Sequence, residues 1–146
     1  MSWQSIIGTQ QDYVIFILRL ALGIVLFAHG MGKLLGWFGG HGVKGTVKGM
    51  GALGVPKFAA LLVVLGEGLG SIALLLGLFG RITAIGILFI MMGAMIKNMP
   101  NGWFMNWYGK KDKEGIEYFV LLLAIVMAII VRGSGALSID YYWFSK

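Results

Sequence analysis

The chain has 146 residues, of which 58% are apolar and 12% are charged, and this charged fraction is about half the globular average. A soluble domain of this size needs more polar surface, so the composition excludes one and indicates helices that face lipid. The net charge of +6 suits lysine-rich loops beside a membrane, and no basic run is long enough to indicate nucleic-acid binding. The absence of cysteine excludes disulfides, thiol relays and iron–sulfur clusters within this chain.

Four apolar segments predict the fold. A transmembrane helix needs about 20 residues, and none of the segments shows the alternation of a β-barrel strand. The very short turn at Gly80–Arg81 makes the second and third helices antiparallel neighbours. The sequence therefore predicts an all-α integral membrane protein, a four-transmembrane-helix bundle that forms a single domain over residues 1–146. Its helices are predicted at about residues 13–35, 56–79, 81–97 and 115–132.

Two long loops are predicted between these helices, at residues 36–55 and 98–115, and most of the lysines lie in or beside them. An even number of spans puts both termini on one side of the membrane. The positive-inside rule then predicts that the long loops are cytoplasmic and that both termini lie outside. Aromatic residues in the second loop, such as Trp103 and Trp107, are predicted to anchor in the head-group belt.

Glu67 lies almost at the centre of the second apolar segment, where an isolated carboxylate would be protonated or paired. Arg19 lies roughly 6 Å from the midpoint of the first helix, a distance that a guanidinium side chain can span. We therefore predict an ion pair between Arg19 and Glu67. Two interpretations stay open, namely a functional site inside the membrane and a structural pair that fixes helix register.

A second polar cluster is predicted toward the long loops, where antiparallel helices end or begin. Its four members are His29, Lys33, Lys97 and Glu117. Under a lid that includes Trp103, such a cluster would bind the polar head of an amphiphile, with Glu117 moving a proton. The alternative is that Lys33, Lys97 and Glu117 are interface residues that reach into water.

Six short motifs follow one another over about residues 13–140. They are Arg19-x-x-x-Gly23, Gly30-x-x-Lys33, Glu67 with Gly68 and Gly70, Leu76-Gly77-Leu78-Phe79-Gly80-Arg81, Gly115-x-Glu117 and Leu137-Ser138-Ile139-Asp140. In this order and spacing they resemble the DoxX family of small four-helix membrane proteins. One branch of that family is named for the small subunit of a thiosulfate:quinone oxidoreductase. The resemblance also implies recurrent polar positions, without catalytic roles, at Arg19, Lys33, Glu67, Arg81 and Glu117.

The resemblance implies a protein of the bacterial or archaeal cytoplasmic (inner) membrane, linked to respiratory or redox chemistry. The leading hypothesis is a membrane component of a redox system that binds a quinone or similar amphiphile inside the bundle and docks a redox partner. Glu67 and Glu117 are then the candidate catalytic residues. The candidate substrate-binding residues are Arg19, His29, Lys33, Arg81, Lys97 and Trp103.

No covalently attached cofactor and no metal site are expected, so a bound quinone is the candidate cofactor. The expected partners are the lipid bilayer, a redox protein and, through glycine-rich helix faces, a second copy of the chain. The alternative function is a non-enzymatic scaffold that binds a lipid or a metabolite. A transporter or proton channel is the third hypothesis.

Overall fold

The computed structural model describes residues 8–110 and 113–144, and within these residues all regular structure is helical. The prediction of an all-α fold is therefore confirmed. The described residues form six α-helices in chain order: α1 (Tyr13–Leu35), α2 (Gly42–Ala52), α3 (Lys57–Leu76), α4 (Gly80–Asn98), α5 (Glu117–Arg132) and α6 (Ile139–Phe144). Single 3-10 turns lie at Trp37–Gly39 and Met99–Asn101.

Helix α1 covers the same residues, 13–35, as the first predicted helix. The Asp12 carboxylate accepts hydrogen bonds from the backbone N–H groups of Val14 and Ile15, at 3.0 and 3.1 Å. These bonds satisfy two of the amide groups that the start of a helix leaves unpaired. Gly36 ends the helix with a φ of 79°, in the left-handed conformation that glycine adopts at little cost. An Asp before the apolar run and a Gly after it thus define both ends.

Helix α3 ends at Leu76, three residues before the predicted end, because the chain turns sharply there. Gly77 and Phe79 both have positive φ, 65° and 49°. The Asp140 carboxylate accepts from the backbone N–H groups of Phe79 and Gly80, at 2.7 and 2.8 Å, and so caps the start of α4. This cap comes from 60 residues further along the chain, which is why local sequence does not reveal it.

Helix α2 lies in a segment that the sequence predicts as a loop, and that prediction is wrong. Four of its eleven residues are glycine, and each glycine disfavours an isolated helix by about 1 kcal/mol relative to alanine. The helix packs against α1 and α3, so tertiary contacts supply the stability that its composition lacks. It brings a short amphipathic helix with exposed Lys44 and Lys48 beside the end of α1.

Among the described residues, three helices are long and apolar enough to cross a membrane by length and composition, at Tyr13–Leu35, Lys57–Leu76 and Gly80–Asn101. The fourth predicted span, α5, has 16 residues and is therefore about 24 Å long, shorter than the hydrocarbon core of about 30 Å. Large apolar side chains cover the outer surfaces of the bundle, among them Ile17, Phe89 and Leu121, each more than 60% exposed. Such surfaces are stable against lipid and costly in water.

The four long helices form a bundle in which α1 packs on α3, α3 on α4, α4 on α5 and α5 on α1. Buried Leu22, Leu26, Ile87, Val126 and Ile129 belong to its core. The bundle has two ends that we name by their segments. The loop end contains residues 36–56, 99–110 and 113–116 together with the adjoining helix turns, and the terminal end contains residues 8–12, 77–79 and 133–144 together with the helix turns next to them.

At the terminal end, Asp12 also pairs with Arg132, with 2.9 Å between Oδ2 and Nη2. The hydrogen bond from the Ile15 backbone N–H and the adjacent guanidinium lower the pKa of the Asp12 carboxyl below its ordinary value of 3.8. A carboxyl with a lowered folded-state pKa stabilises the fold above its unfolded pKa and loses that contribution as the pH falls through the folded value. We therefore expect the unfolding temperature to decrease as the pH falls below about 3.8.

The matched variant for this pH dependence is Asp12→Asn, which keeps a capping oxygen but has no titrating charge. Its unfolding temperature is expected to decrease less over the same pH interval, as measured by thermal unfolding in detergent. Parallel profiles for the two proteins would contradict the assignment to Asp12.

Candidate functional site

An ion pair lies inside the bundle, between Glu67 on α3 and Lys33 near the end of α1. The Nζ atom of Lys33 is 2.5 Å from Oε2 of Glu67. The Glu67 side chain is 3% exposed and that of Lys33 is 32% exposed, so the carboxylate is buried while the lysine reaches it from the loop end. A buried carboxylate is costly unless it is paired, and Lys33 provides that pairing.

Close packing of α1 on α3 sets the position of this pair. A Cβ atom built on Gly30 would lie 2.5 Å from the Glu67 carbonyl oxygen and 2.8 Å from Cα of Gly68. Only glycine permits this approach of two backbones. Because Lys33 lies three residues after Gly30, its long side chain starts close to Glu67 and can bind it.

The pair borders a cavity of about 180 Å³, which we call the inner cavity. Its polar lining residues are His29, Lys33, Glu67 and Tyr118. The remaining lining residues are Leu26, Met91, Ala94, Phe119 and Leu122. A small cavity with apolar walls and a few polar groups on its surface is typical of a ligand site.

Three of these polar groups have hydrogen-bonding capacity that the described part of the chain does not use. Glu67 accepts from Lys33 through Oε2, and no residue in 8–110 or 113–144 donates to its Oε1. Within the same residues, the His29 ring and the Tyr118 hydroxyl have no hydrogen-bond partner. Only Glu67 of the three is buried, whereas Tyr118 is half-buried and His29 is exposed. A buried polar group normally binds a partner, and together the three groups offer donors and acceptors to a ligand in the inner cavity.

A second cavity, the outer cavity, adjoins the inner one and has a volume of about 550 Å³. His29 and Lys33 line both cavities, so they lie at the boundary. The outer cavity lies between the end of α1 and helix α2, and its other side chains include Trp37, Phe38, His41, Thr46, Met50 and Leu53. Its size falls within the range of about 300–1,000 Å³ that is usual for ligand pockets, whereas the inner cavity, at about 180 Å³, is smaller.

Arg19 does not pair with Glu67, and the predicted ion pair is therefore wrong. Gly30 packs on Glu67 in the antiparallel α1–α3 pair, and Arg19 lies eleven residues before Gly30, about 16 Å further along the helix. The fully buried Arg19 guanidinium instead donates to five backbone carbonyls. They belong to Leu74, Leu75, Ser134, Ala136 and Leu137.

Arg81 also lies at the terminal end, away from the inner cavity. A Cβ atom built on Gly133 would be 3.4 Å from the Arg81 Nε atom. The structure thus separates four of the predicted substrate-binding residues into two groups. Arg19 and Arg81 belong to the terminal end, where they hold or border the C-terminal segment, whereas His29 and Lys33 line the inner cavity.

The structure also separates the members of the predicted cluster of His29, Lys33, Lys97 and Glu117. The Glu117 carboxylate accepts from the backbone N–H of Met105 at 3.0 Å and from the indole N–H of Trp107. The Lys97 ammonium donates to the carbonyl of Leu53, which joins the end of α4 to the end of α2. Neither Glu117 nor Lys97 lines the inner cavity, and both organise the loop end; their roles toward a substrate stay predictions.

Trp103 is 52% exposed at the loop end. Its carbonyl accepts from the backbone N–H groups of Ile116 and Glu117, each at 3.0 Å, and so fixes the start of α5. Its ring does not line the inner cavity, so its role as a lid stays a prediction.

Tyr118 is a candidate site residue that the sequence analysis missed. It follows Glu117 directly, and the sequence analysis selected the charged Glu117 as the candidate residue instead. On α5, Tyr118, Phe119 and Leu122 recur at a spacing of one and four residues, which places them on adjoining parts of one helix face. A tyrosine on that face of an otherwise apolar helix is the sequence signal that predicts a polar group in the cavity wall.

The fold and the cavity define a class of protein: a small helical membrane protein with an ionisable pair beside a cavity within its bundle. A family model described as DoxX matches residues 14–105, more than half of the chain. The protein therefore belongs to the DoxX family, and the resemblance inferred from the sequence motifs is confirmed. The match includes His29, Lys33 and Glu67 and ends before Tyr118.

Among curated proteins, the one named "Putative oxidoreductase CatD" from Bacillus subtilis (strain 168) is similar to this chain. It is 29% identical over 128 residues, which cover 88% of this chain and 85% of that protein. No solved structure gives a significant match.

Proposed function

We propose that this protein is a membrane component of a redox system and binds a quinone or similar amphiphile with its polar head in the inner cavity. The observation that carries the proposal is the set of three unused polar groups, on His29, Glu67 and Tyr118, which lie beside Lys33 in a cavity whose other walls are apolar. A ring with oxygen atoms at its edge can hydrogen-bond to these groups while its faces contact Met91 and Phe119.

The outer cavity accommodates the part of the amphiphile that does not fit the inner one. Trp37, Phe38 and Met50 provide an apolar and aromatic wall there, which suits a hydrocarbon substituent. His29 and Lys33 at the boundary then lie beside the bond that joins head and substituent.

A redox role is supported by the printed name of the relative in Bacillus subtilis, and the chain itself has no cysteine to carry electrons. Electrons would therefore come from a partner protein. Exposed Lys44, Lys48 and Lys97 at the loop end form a basic surface for an acidic partner. By the positive-inside rule, the same lysines favour a cytoplasmic position for the loop end of a protein in the inner membrane. Native mass spectrometry of the complex at low ionic strength tests for the partner.

The test of ligand binding compares the wild-type protein with Ala94→Phe, which adds a ring into the inner cavity. We expect purified wild-type protein to contain quinone in about equimolar amount, measured by mass spectrometry of its organic extract, and the variant to contain at least about tenfold less, because the head group is excluded. An unrelated membrane protein purified in the same detergent gives the background.

The matched control is Ile85→Phe, which places the same ring on the outer face of α4, where Ile85 is 43% exposed. This variant is expected to retain the quinone. Equal quinone content in wild type, Ala94→Phe and the unrelated protein would show that the cavity binds none.

A scaffold without enzymatic activity is the second candidate, and the Arg19 network favours it. There a fully buried charge serves only to hold backbone carbonyls, so the Lys33–Glu67 pair can have a similar structural purpose. Background lipid alone in the extract, together with recovery of stability when Lys33 and Glu67 are replaced jointly, would support the scaffold.

A further inference from the structure

The inner cavity presents one group that only accepts hydrogen bonds. Glu67 binds Lys33 through Oε2, with the geometry of a salt bridge between a carboxylate and an ammonium group. Its Oε1 receives no hydrogen bond from the described residues. Because a carboxylate has no proton to donate, the ligand atom that faces Oε1 must be a donor.

The other unused groups in the inner cavity impose no such requirement. The Tyr118 hydroxyl donates and accepts, and a neutral His29 ring has one nitrogen of each kind. Lys33 gives one of its three N–H donors to Glu67, and the other two can donate equally to a hydroxyl or to a carbonyl oxygen. The remaining lining residues are apolar. The selection between donor and acceptor on the ligand therefore depends on Glu67.

We propose that the inner cavity selects the reduced, hydroxyl-bearing form of its ligand, a quinol or another phenol, over the carbonyl-bearing quinone. This inference rests on the proposed function, since it concerns the same cavity and the same ligand class. A quinol hydroxyl donates to Glu67 Oε1 and accepts from Tyr118 or His29. A quinone carbonyl at this position would place two acceptors face to face in apolar surroundings, and Oε1 would stay unpaired.

Tighter binding of the quinol than of the quinone changes the reduction potential of the bound pair. Reduction of the quinone takes up two electrons, supplied by a reduced electron-carrying partner protein, and two protons from water, and yields the quinol. Tighter binding of the quinol raises the potential of the bound pair by about 30 mV for each tenfold difference in affinity. A quinone in this cavity is therefore reduced more readily than the same quinone in lipid.

The experiment measures the dissociation constants of decylubiquinol and decylubiquinone for the purified full-length protein under anaerobic conditions. We expect the quinol to bind at least about tenfold more tightly, because its hydroxyl donates to a charged acceptor. A second pair that undergoes no redox change, 4-decylphenol and 4-decylanisole, differs in one donated proton. The phenol is expected to bind more tightly than its methyl ether by a similar factor.

The variant Glu67→Gln tests the residue that the inference names. Its amide both donates and accepts, so the preference for the quinol is expected to fall to within about twofold, with tighter binding of the quinone. The control Glu114→Gln changes a carboxylate at the loop end that accepts from the backbone N–H of Asn106, and it should keep the wild-type preference. The comparisons on wild-type protein need no variant to fold.

The outcomes separate this inference from the proposed function. Equal or tighter binding of decylubiquinone to the wild type overturns the inference and leaves the cavity as a quinone site. Binding of none of the four compounds overturns both. A quinol preference that persists in Glu67→Gln overturns the role of Glu67.

Discussion

Replacing Arg19 with Met is expected to lower the free energy of unfolding by about 3 to 5 kcal/mol. The guanidinium donates to carbonyls on α3 and on the segment at residues 134–137, and it lies 5.5 Å from the centre of the Phe16 ring. A methionine fills similar space but removes the guanidinium donor from five backbone carbonyls, and the contacts with Leu74, Ser134 and Ala136 are fully buried. The measurement is thermal or denaturant unfolding in a mild detergent.

The control for Arg19→Met is Arg132→Met, also at the terminal end. The Arg132 side chain is 54% exposed and forms one ion pair, with Asp12. An exposed pair contributes less than about 1 kcal/mol, so this variant should unfold close to the wild type. Arg19→Lys is expected to give an intermediate loss, because one ammonium group cannot reach both α3 and the C-terminal segment.

The same variants decide between two roles for Arg19. If Arg19→Met unfolds like the wild type but binds no quinol, Arg19 would be a ligand residue, as the sequence analysis proposed. The structure favours the architectural role, since every donor direction of the guanidinium ends on a backbone carbonyl or faces the Phe16 ring. Retained ligand binding in the part of the sample that stays folded would agree with that role.

The sequence was sufficient for the all-α fold and for the ends of α1, because capping residues are local signals. Asp12 and Gly36 lie next to the helix that they terminate, and one apolar run lies between them. Helix α2 escaped prediction because its stability comes from packing on other helices. The cap on α4 by Asp140 was not predicted for a similar reason, since the two partners are far apart in sequence.

The ion pair was mispredicted because sequence does not determine the register of two antiparallel helices. Both Gly23 and Gly30 face α3 and both permit close approach, so depth in the membrane was the only criterion for choosing a partner for Glu67. By that criterion Arg19 was suitable. The observed register places Lys33 beside Glu67 instead, and it makes the Gly30 contact the feature on which the candidate site depends.

Replacing Gly30 with Ala is therefore expected to affect both fold and site. The added Cβ would lie 2.5 Å from the Glu67 carbonyl oxygen and 2.6 Å from its carbonyl carbon. Both are backbone atoms, so the clash is relieved only when α1 moves away from α3. We expect a loss of about 3 kcal/mol in the free energy of unfolding, together with at least about tenfold weaker binding of decylubiquinol, because a one-ångström displacement of polar groups disrupts a site.

The control for this change is Gly93→Ala on α4, where a built Cβ has no atom within 4 Å. Alanine has the higher helix propensity, so this variant should be as stable as the wild type or up to about 1 kcal/mol more stable. Both variants add the same methyl group to a membrane helix, and they differ in whether a backbone faces it. If Gly30→Ala matched Gly93→Ala in unfolding and in quinol binding, α1 and α3 would not approach as closely as the structure shows, and the pairing of Lys33 with Glu67 would lose its geometric basis.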